Sequence, residues 1–459
     1  MTDLLKDLWS SLGGDASLTE GVSFVGPQHV LPSVFDVTGL AVAAVGVACL
    51  AAAELLGERS GGAIPSVEVD SRSACAAFLC ERLFSPLGWE LPALWDPIAG
   101  DYETADGWIR LHTNYSAHRS AALRALRLTD PDRDGVAAAV SAWQGDELEE
   151  RVVHEGGCAA VMRSGAEWAA HPHGAAVAAE PAVAMRWCAE TEIPSLGTGD
   201  QPLAGIRVLD LTRVIAGPVC TRFLAAYGAD VLRIDPPRFE EVPALVPETS
   251  AGKHTASLDL ATRDGHAQFE ALLRQADVVV CGLRPGALGR LDLDPASMRT
   301  VNPALIVAEL DAYGWTGPWA ARRGFDSLVQ MSSGIASAGG IANDTDQPFP
   351  LPAQALDHAT GFVLAGAIFR AITRRQRHNA PSDITAALIG TANLLVGLDD
   401  PAGLDQAAPV WLDTDTEARA TAWGAARAVP IPGKIHGVRP VLRVEPGPLG
   451  RHAPAFTAR

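Results

Sequence analysis

From residue 205 onward, short apolar runs alternate with helix-length amphipathic segments. "IRVLDL" reads as a buried strand, "AGPVCTRFLAAYG" as a helix closed by Gly228, and "ADVLRID" as the next strand. "HAQFEALLRQ" continues as a helix, with "ADVVVCGL" and "ALIVAEL" as further strands. Strands separated by helices at this spacing predict βαβ units, a parallel sheet, and a ligand crevice at the strand C-termini. The turn after the first strand is "TRVIAGP", with one glycine. The GxGxxG dinucleotide fingerprint is therefore absent, which argues against a nicotinamide enzyme. No Walker A, HExxH or GxSxG motif occurs either.

Upstream of this region the pattern changes. Residues 1–24 read as a tail, and 25–80 as a helix and strand segment. Residues 81–195 read as a small α+β domain, marked by Trp89, Trp95, Trp108, Trp143, Trp168 and Trp187. "SLGTGDQP" (195–202) reads as a linker, 196–398 as the sheet domain, and 399–459 as a C-terminal segment. "VTGLAVAAVGVACLAAAELL" (37–56) is long enough to span a bilayer. It is mainly Ala, Val and Gly, which gain little in lipid, so a buried helix is expected and no membrane is implied.

Charge and cysteines narrow the classes. Lys and Arg number 36 against 54 Asp and Glu, for a net charge of -18. A chain this acidic lacks the basic face that neutralises phosphates, so nucleic acid is not an expected partner. Seven cysteines without a CxxC suggest neither a disulfide framework nor a zinc site. The first residues lack a basic stretch before an apolar core, so a signal peptide is not expected and a cytoplasmic setting is.

Three blocks in order, 202–237, 253–293 and 324–336, resemble the family III CoA-transferases, a group that includes formyl-CoA and carnitine CoA-transferases and is related to α-methylacyl-CoA racemases. The resemblance implies a Rossmann-like parallel-sheet domain that binds CoA, a smaller α+β domain joined to it by long helices, and a homodimer of interlocked rings. It implies coenzyme A as part of the acyl-CoA substrate, a carboxylic acid acceptor, and neither metal nor NAD. The family's nucleophile is an aspartate heading a helix after the "GFD" block, and Asp357 in "ALDHATGFVLAG" occupies that place. A carboxylate there would attack the thioester and pass through an aspartyl-CoA intermediate. The same position suits a helix N-cap.

The resemblance also places Ile215, Ala216, Gly282, Leu283, Arg284, Arg290 and Arg323 around CoA. Ile215 stands where formyl-CoA transferases carry Gln, which argues against oxalate and formate. Gly282 replaces the family's Asn in "CGLRPG". The racemase branch has His in a "GHD" block where this chain has Phe325, so transferase is preferred over racemase, and a non-catalytic acyl-CoA-binding protein stays open. "LPSVFDVTG" (31–39) repeats the pattern of "LPAQALDHATG" (351–361). The chain reads as two partial family units in tandem, with Asp36 as a helix cap in the degenerate half.

Overall fold

The computed structural model describes residues 2–457 apart from 401, 402 and 406. Seven strands form the central sheet: β1 (Val183–Trp187), β2 (Arg207–Leu211), β3 (Asp230–Asp235), β4 (Lys253–Ser257), β5 (Val278–Cys281), β6 (Ile306–Asp311) and β7 (Ser382–Ala387). Their spatial order is β4-β3-β2-β5-β6-β7-β1. All neighbours are parallel except β7 and β1, which pair antiparallel. Counted from β2, the six parallel strands run 3-2-1-4-5-6, the order of a doubly wound sheet. β2, β3, β5 and β6 are largely apolar because both faces are covered, while β4 ("KHTAS") and β7 ("SDITAA") are mixed. The switch point lies between the C-terminal ends of β2 and β5, where Leu211 pairs with Cys281.

β1 lies within the stretch 81–195 read as a separate small domain, yet it forms the edge of the large sheet. The rest of that stretch has its own three-stranded antiparallel sheet, 100–103, 108–111 and 159–161, and its own core around Ile109, Leu123, Val136 and Leu148. Residues 1–24 are not a tail. Helix α1 (Thr2–Ser11) buries Leu4, Leu5, Leu8 and Trp9, and the next segment adds a strand, 22–25, parallel to 67–70. The amphipathic spacing of "LLKDLW" supplies the buried stripe.

Two helices of 24 residues organise the interior: α2 (Val37–Ser60) and α4 (Ala355–His378), with α3 (Ala216–Ala226) beside α4. Both long helices are apolar enough to cross a bilayer, and both are buried inside the protein. Val47 packs against Gly366, Glu54 bonds Arg370, and Glu58 bonds Arg377, so the two run in the same direction. Small residues permit this close approach: a Cβ on Gly366 would lie 2.9 Å from Val47 Cγ1. Each helix follows a Leu-Pro pair, and each is followed by Pro-Ser, a strand (67–70 or β7) and a second helix (71–77 or 388–396). Each following strand lies parallel to the one before the helix. The repeated sequence is thus a repeated strand–helix–strand–helix order.

Asp36 caps α2, accepting the Gly39 N–H at 2.6 Å. Asp36→Ala is expected to lower the unfolding free energy by about 0.5–2 kcal/mol, with Asp36→Asn retaining most of it. Urea titration of the three proteins checks this; equal midpoints would remove the cap from the stability of α2.

Candidate active site

The switch-point turn is built by a buried carboxylate. Asp210, on β2, accepts the Thr212 N–H at 2.9 Å and Thr212 Oγ1 at 2.5 Å. Its second oxygen accepts Thr221 Oγ1 at 2.6 Å and Lys253 Nζ at 2.9 Å. Four donors hold a charge that would otherwise be costly to bury. The turn then passes through Val214 at φ +64°, a conformation a β-branched residue rarely adopts. Gly217 lets α3 begin immediately, since a Cβ there would overlap Thr212. Backbone strain of this kind concentrates at functional sites.

A crevice of about 610 Å³ opens at this point. Ala216, Gly282, Leu283, Arg284 and Arg323 line it, together with Arg213, Arg238, Tyr115, Phe325 and Asp357. Of the residues expected around CoA, these five come together. Ile215 does not face the crevice: it is buried and lines a smaller chamber behind it. Arg290 is exposed and lies outside the crevice lining, although its charge reaches Arg284. Burial, then Arg323 and Arg290, push the Arg284 guanidinium below its ordinary range. A chain of net charge -18 thus gathers arginines at one crevice. Arg213 covers the Phe239 ring at 3.8 Å, a flat cationic surface beside the opening.

Asp357 stands at the junction of the crevice and the chamber. It is not the N-cap of α4. Gln354 holds that position, and Asp357 lies in the first helical turn. The capping carboxylate comes from another element: Asp326 Oδ2 accepts the Asp357 N–H at 3.0 Å. Asp326 is itself held by Gln330. Next to Asp357 in sequence, His358 Nε2 meets Glu81 Oε2 at 3.1 Å. Burial first, then the charges of Asp326 and Glu81, hold the Asp357 carboxyl well above the ordinary carboxylate range. Burial also raises Asp326, against its hydrogen bonds. Gly361, one turn along, lets α4 press onto the start of α3; a Cβ there would lie 2.5 Å from the Ala216 carbonyl oxygen.

Asp326 and Glu81 escaped the sequence reading. Asp326 sits in the quoted "GFD" block, but nothing in that block says its carboxylate reaches the α4 backbone. Glu81 is 276 positions from Asp357, and only folding joins them. Arg213 lay in the quoted turn "TRVIAGP" without being singled out. Cys80, Glu81 and His358 offer three ligand atoms within 4.8 Å of one another. Arg222 Nη2 stands 3.5 Å from Cys80 Sγ, however, and burial raises the Cys80 thiol. A cation there would face a guanidinium and a protonated sulfur.

Residues 203–400 match the sequence model described as CoA-transferase family III. Over 205 residues the chain is 33% identical to a probable fatty acyl-CoA transferase of Mycobacterium tuberculosis, covering 42% of this chain and 52% of the relative. It is 34% identical over 207 residues to the succinate–glutarate CoA-transferase of Agrobacterium fabrum, covering 41% and 51%. It is 32% identical over 217 residues to a formyl-CoA:oxalate CoA-transferase of Rhodopseudomonas palustris, covering 44% and 50%. A crystal structure of the Mycobacterium tuberculosis protein superimposes with a TM-score of 0.40 at 33% identity, over 43% of this chain and 56% of that one. The chain spans about half the length of the curated relatives it matches. The segment 203–400, which carries the six parallel strands, the switch-point turn and Asp357, belongs to CoA-transferase family III.

Proposed function

We propose that the chain is an acyl-CoA:carboxylate CoA-transferase that works through a covalent intermediate on Asp357. One observation carries the reading: a buried carboxyl stands where an arginine-lined crevice at a sheet switch point meets a smaller chamber. The crevice suits the phosphates of coenzyme A, because guanidinium groups pair well with phosphate oxygens. The chamber lies beyond the reacting centre, where an acyl group would lie.

The steps balance without any other reactant. The Asp357 carboxylate attacks the thioester carbonyl, forming a mixed anhydride and releasing CoA thiolate. The thiolate attacks the aspartyl carbonyl, releasing the donor acid and leaving an aspartyl-CoA thioester. An acceptor carboxylate attacks that thioester, and the released thiolate takes the new acyl group, restoring Asp357. Capture on the protein divides one exchange into four easier displacements. Burial supports this scheme by keeping water from the anhydride. The same burial raises the pKa of the carboxyl and leaves its ionised form poorly solvated.

The racemase reading needs a second base across from Asp357. Phe325 occupies the family's His position, and His112 stacks on it with ring centroids 3.6 Å apart. Burial first, then His118 and Arg110, drive the His112 pKa down to about 3. That imidazole is neutral and a weak base, which favours transfer. The tandem origin of the two helical units, the interlocked homodimer and the cytoplasmic setting belong to the same proposal.

Asp357→Asn is expected to abolish transfer and the adduct trapped by hydroxylamine after incubation with acyl-CoA, while CoA affinity stays within about threefold of wild type. Mass spectrometry and calorimetry read both; turnover by the variant overturns the assignment. Exchange of an α-proton into deuterated water without an adduct would support racemase instead. The lining geometry separates two arginines. Arg284→Ala is expected to weaken CoA binding by about 1 kcal/mol or more, and Arg290→Ala by less, both losses shrinking in high salt. A larger loss at Arg290 would place the phosphates outside the crevice. Finally, removing the Asp326 charge should lower the Asp357 pKa. Transfer by Asp326→Asn is therefore expected to retain activity to lower pH, its ascending acid limb shifting down. A limb that stays in place or moves up would show that Asp326 does not act on the Asp357 carboxyl.

A further inference from the structure

The chamber behind Asp357 has a volume of about 30 Å³. That is room for about two water-sized groups, against about 610 Å³ for the crevice on the other side. Leu94, Trp95, Val214, Ile215, Val242 and Leu245 wall it, which would suit an alkyl group by composition. Its polar residues argue otherwise. Asn114 bonds the Leu94 carbonyl and the Asp96 N–H, Arg82 bonds the Pro352 carbonyl, and both Asp326 oxygens are engaged. Three lining side chains instead carry buried polar atoms without a hydrogen-bond partner: Glu81 Oε1, His112 Nδ1 and Ser327 Oγ. The Glu81 side chain is 4% exposed, His112 4% and Ser327 6%. Glu81 Oε1 makes only a long ion pair with Arg82 Nε, at 3.9 Å.

A buried polar atom left unpaired is costly, so a built chamber with three of them fits a guest that pairs them. A long alkyl chain neither fits the volume nor satisfies the atoms. A second carboxylate would face Glu81, like charge against like charge. A hydroxyl donates to the Glu81 carboxylate and accepts from the Ser327 hydroxyl. We propose that this chamber selects a short acyl group bearing a hydroxyl, held by Glu81 and Ser327 with His112 beside them. This rests on the reading of the crevice as the CoA site and of the chamber as the acyl side. Glu81 lies just after the first helical unit, at the head of the stretch 81–195, so a residue next to the first unit would contribute specificity beside the nucleophile of the second.

The test measures binding alone, using CoA thioethers that Asp357 cannot cleave. Calorimetry compares S-(3-hydroxypropyl)-CoA with its near-isostere S-butyl-CoA, and with S-(2-carboxyethyl)-CoA and S-dodecyl-CoA. The hydroxypropyl compound is expected to bind about tenfold or more tighter than the butyl compound, and tightest of the four. Ser327→Ala is expected to bring the hydroxypropyl to butyl ratio within about threefold. Equal affinities for that pair in the wild type, as in a chamber that merely holds water, overturn the proposal. So does tighter binding of the carboxyethyl or dodecyl compound, or a ratio unchanged by Ser327→Ala. If the variant fails to fold, the wild-type ranking decides. A protein that keeps the hydroxyl preference but forms no adduct at Asp357 would overturn the transferase reading and leave this one standing. Absence of binding by any CoA compound would overturn both.

Discussion

The architecture depends on the burial of two alanine-rich helices against each other. Neither α2 nor α4 could be left in water, and each is long enough to be mistaken for a bilayer span. Packed side by side and in the same direction, they remove one another's apolar surface from solvent. Alanine and glycine along the seam let the backbones approach. Glu54 and Arg370, in their C-terminal halves, are then forced into the interior. Glu54 meets Arg370 there and also reaches the exposed Arg377, so partnership between the helices is electrostatic as well as apolar. Removing one member of a buried pair of this kind strands the other charge, which costs far more than the pair itself contributes.

The position of that helix pair sets the chemistry. α4 packs on the sheet, and Gly361 lets it press against the Ala216 carbonyl at the start of α3. α3 in turn begins at the turn that Asp210 holds at the end of β2. Asp357 is thereby delivered to the switch point of the sheet, one helical turn before the contact. Around it the protein gathers carboxylates on one side, Asp326 and Glu81, and arginines on the other. The two populations pull in opposite directions: the first raises the Asp357 pKa, while the second draws an anionic ligand to the same opening.

β4 and β7 were not read as strands, their sequences "KHTAS" and "SDITAA" being mixed, but β2, β3, β5 and β6 were legible because they are buried on both faces. Their apolar runs and the helix-length gaps between them leave few alternatives. The edge strand β1 was not, since "VAMRW" carries a mixed pattern and its partner β7 lies some 195 positions away. The N-terminal segment was misjudged for a related reason. Its amphipathic stripe is one helix long, and without α2 in view nothing indicates what would bury it. At the site, Asp357, Ala216, Gly282, Leu283, Arg284 and Arg323 were expected near one ligand and lie around one crevice. Ile215 and Arg290 were expected there as well. Ile215 precedes the first turn of α3 and points to the chamber side, and Arg290 lies beyond the loop that carries Arg284.

Sequence alone determined the residue types and the local order: which segments must be buried, where strands give way to helices, and which aspartate follows the "GFD" block. These follow from periodicity, turn chemistry and a family pattern, all of them properties of neighbouring positions. Tertiary structure decided what surrounds that aspartate. Glu81 and His112 come from segments far upstream, Asp326 from a separate helix, and the arginines from four different loops. Burial, charge proximity and the volume of a chamber depend on distances in space between residues far apart in the chain. The pattern of a single sequence does not carry such distances.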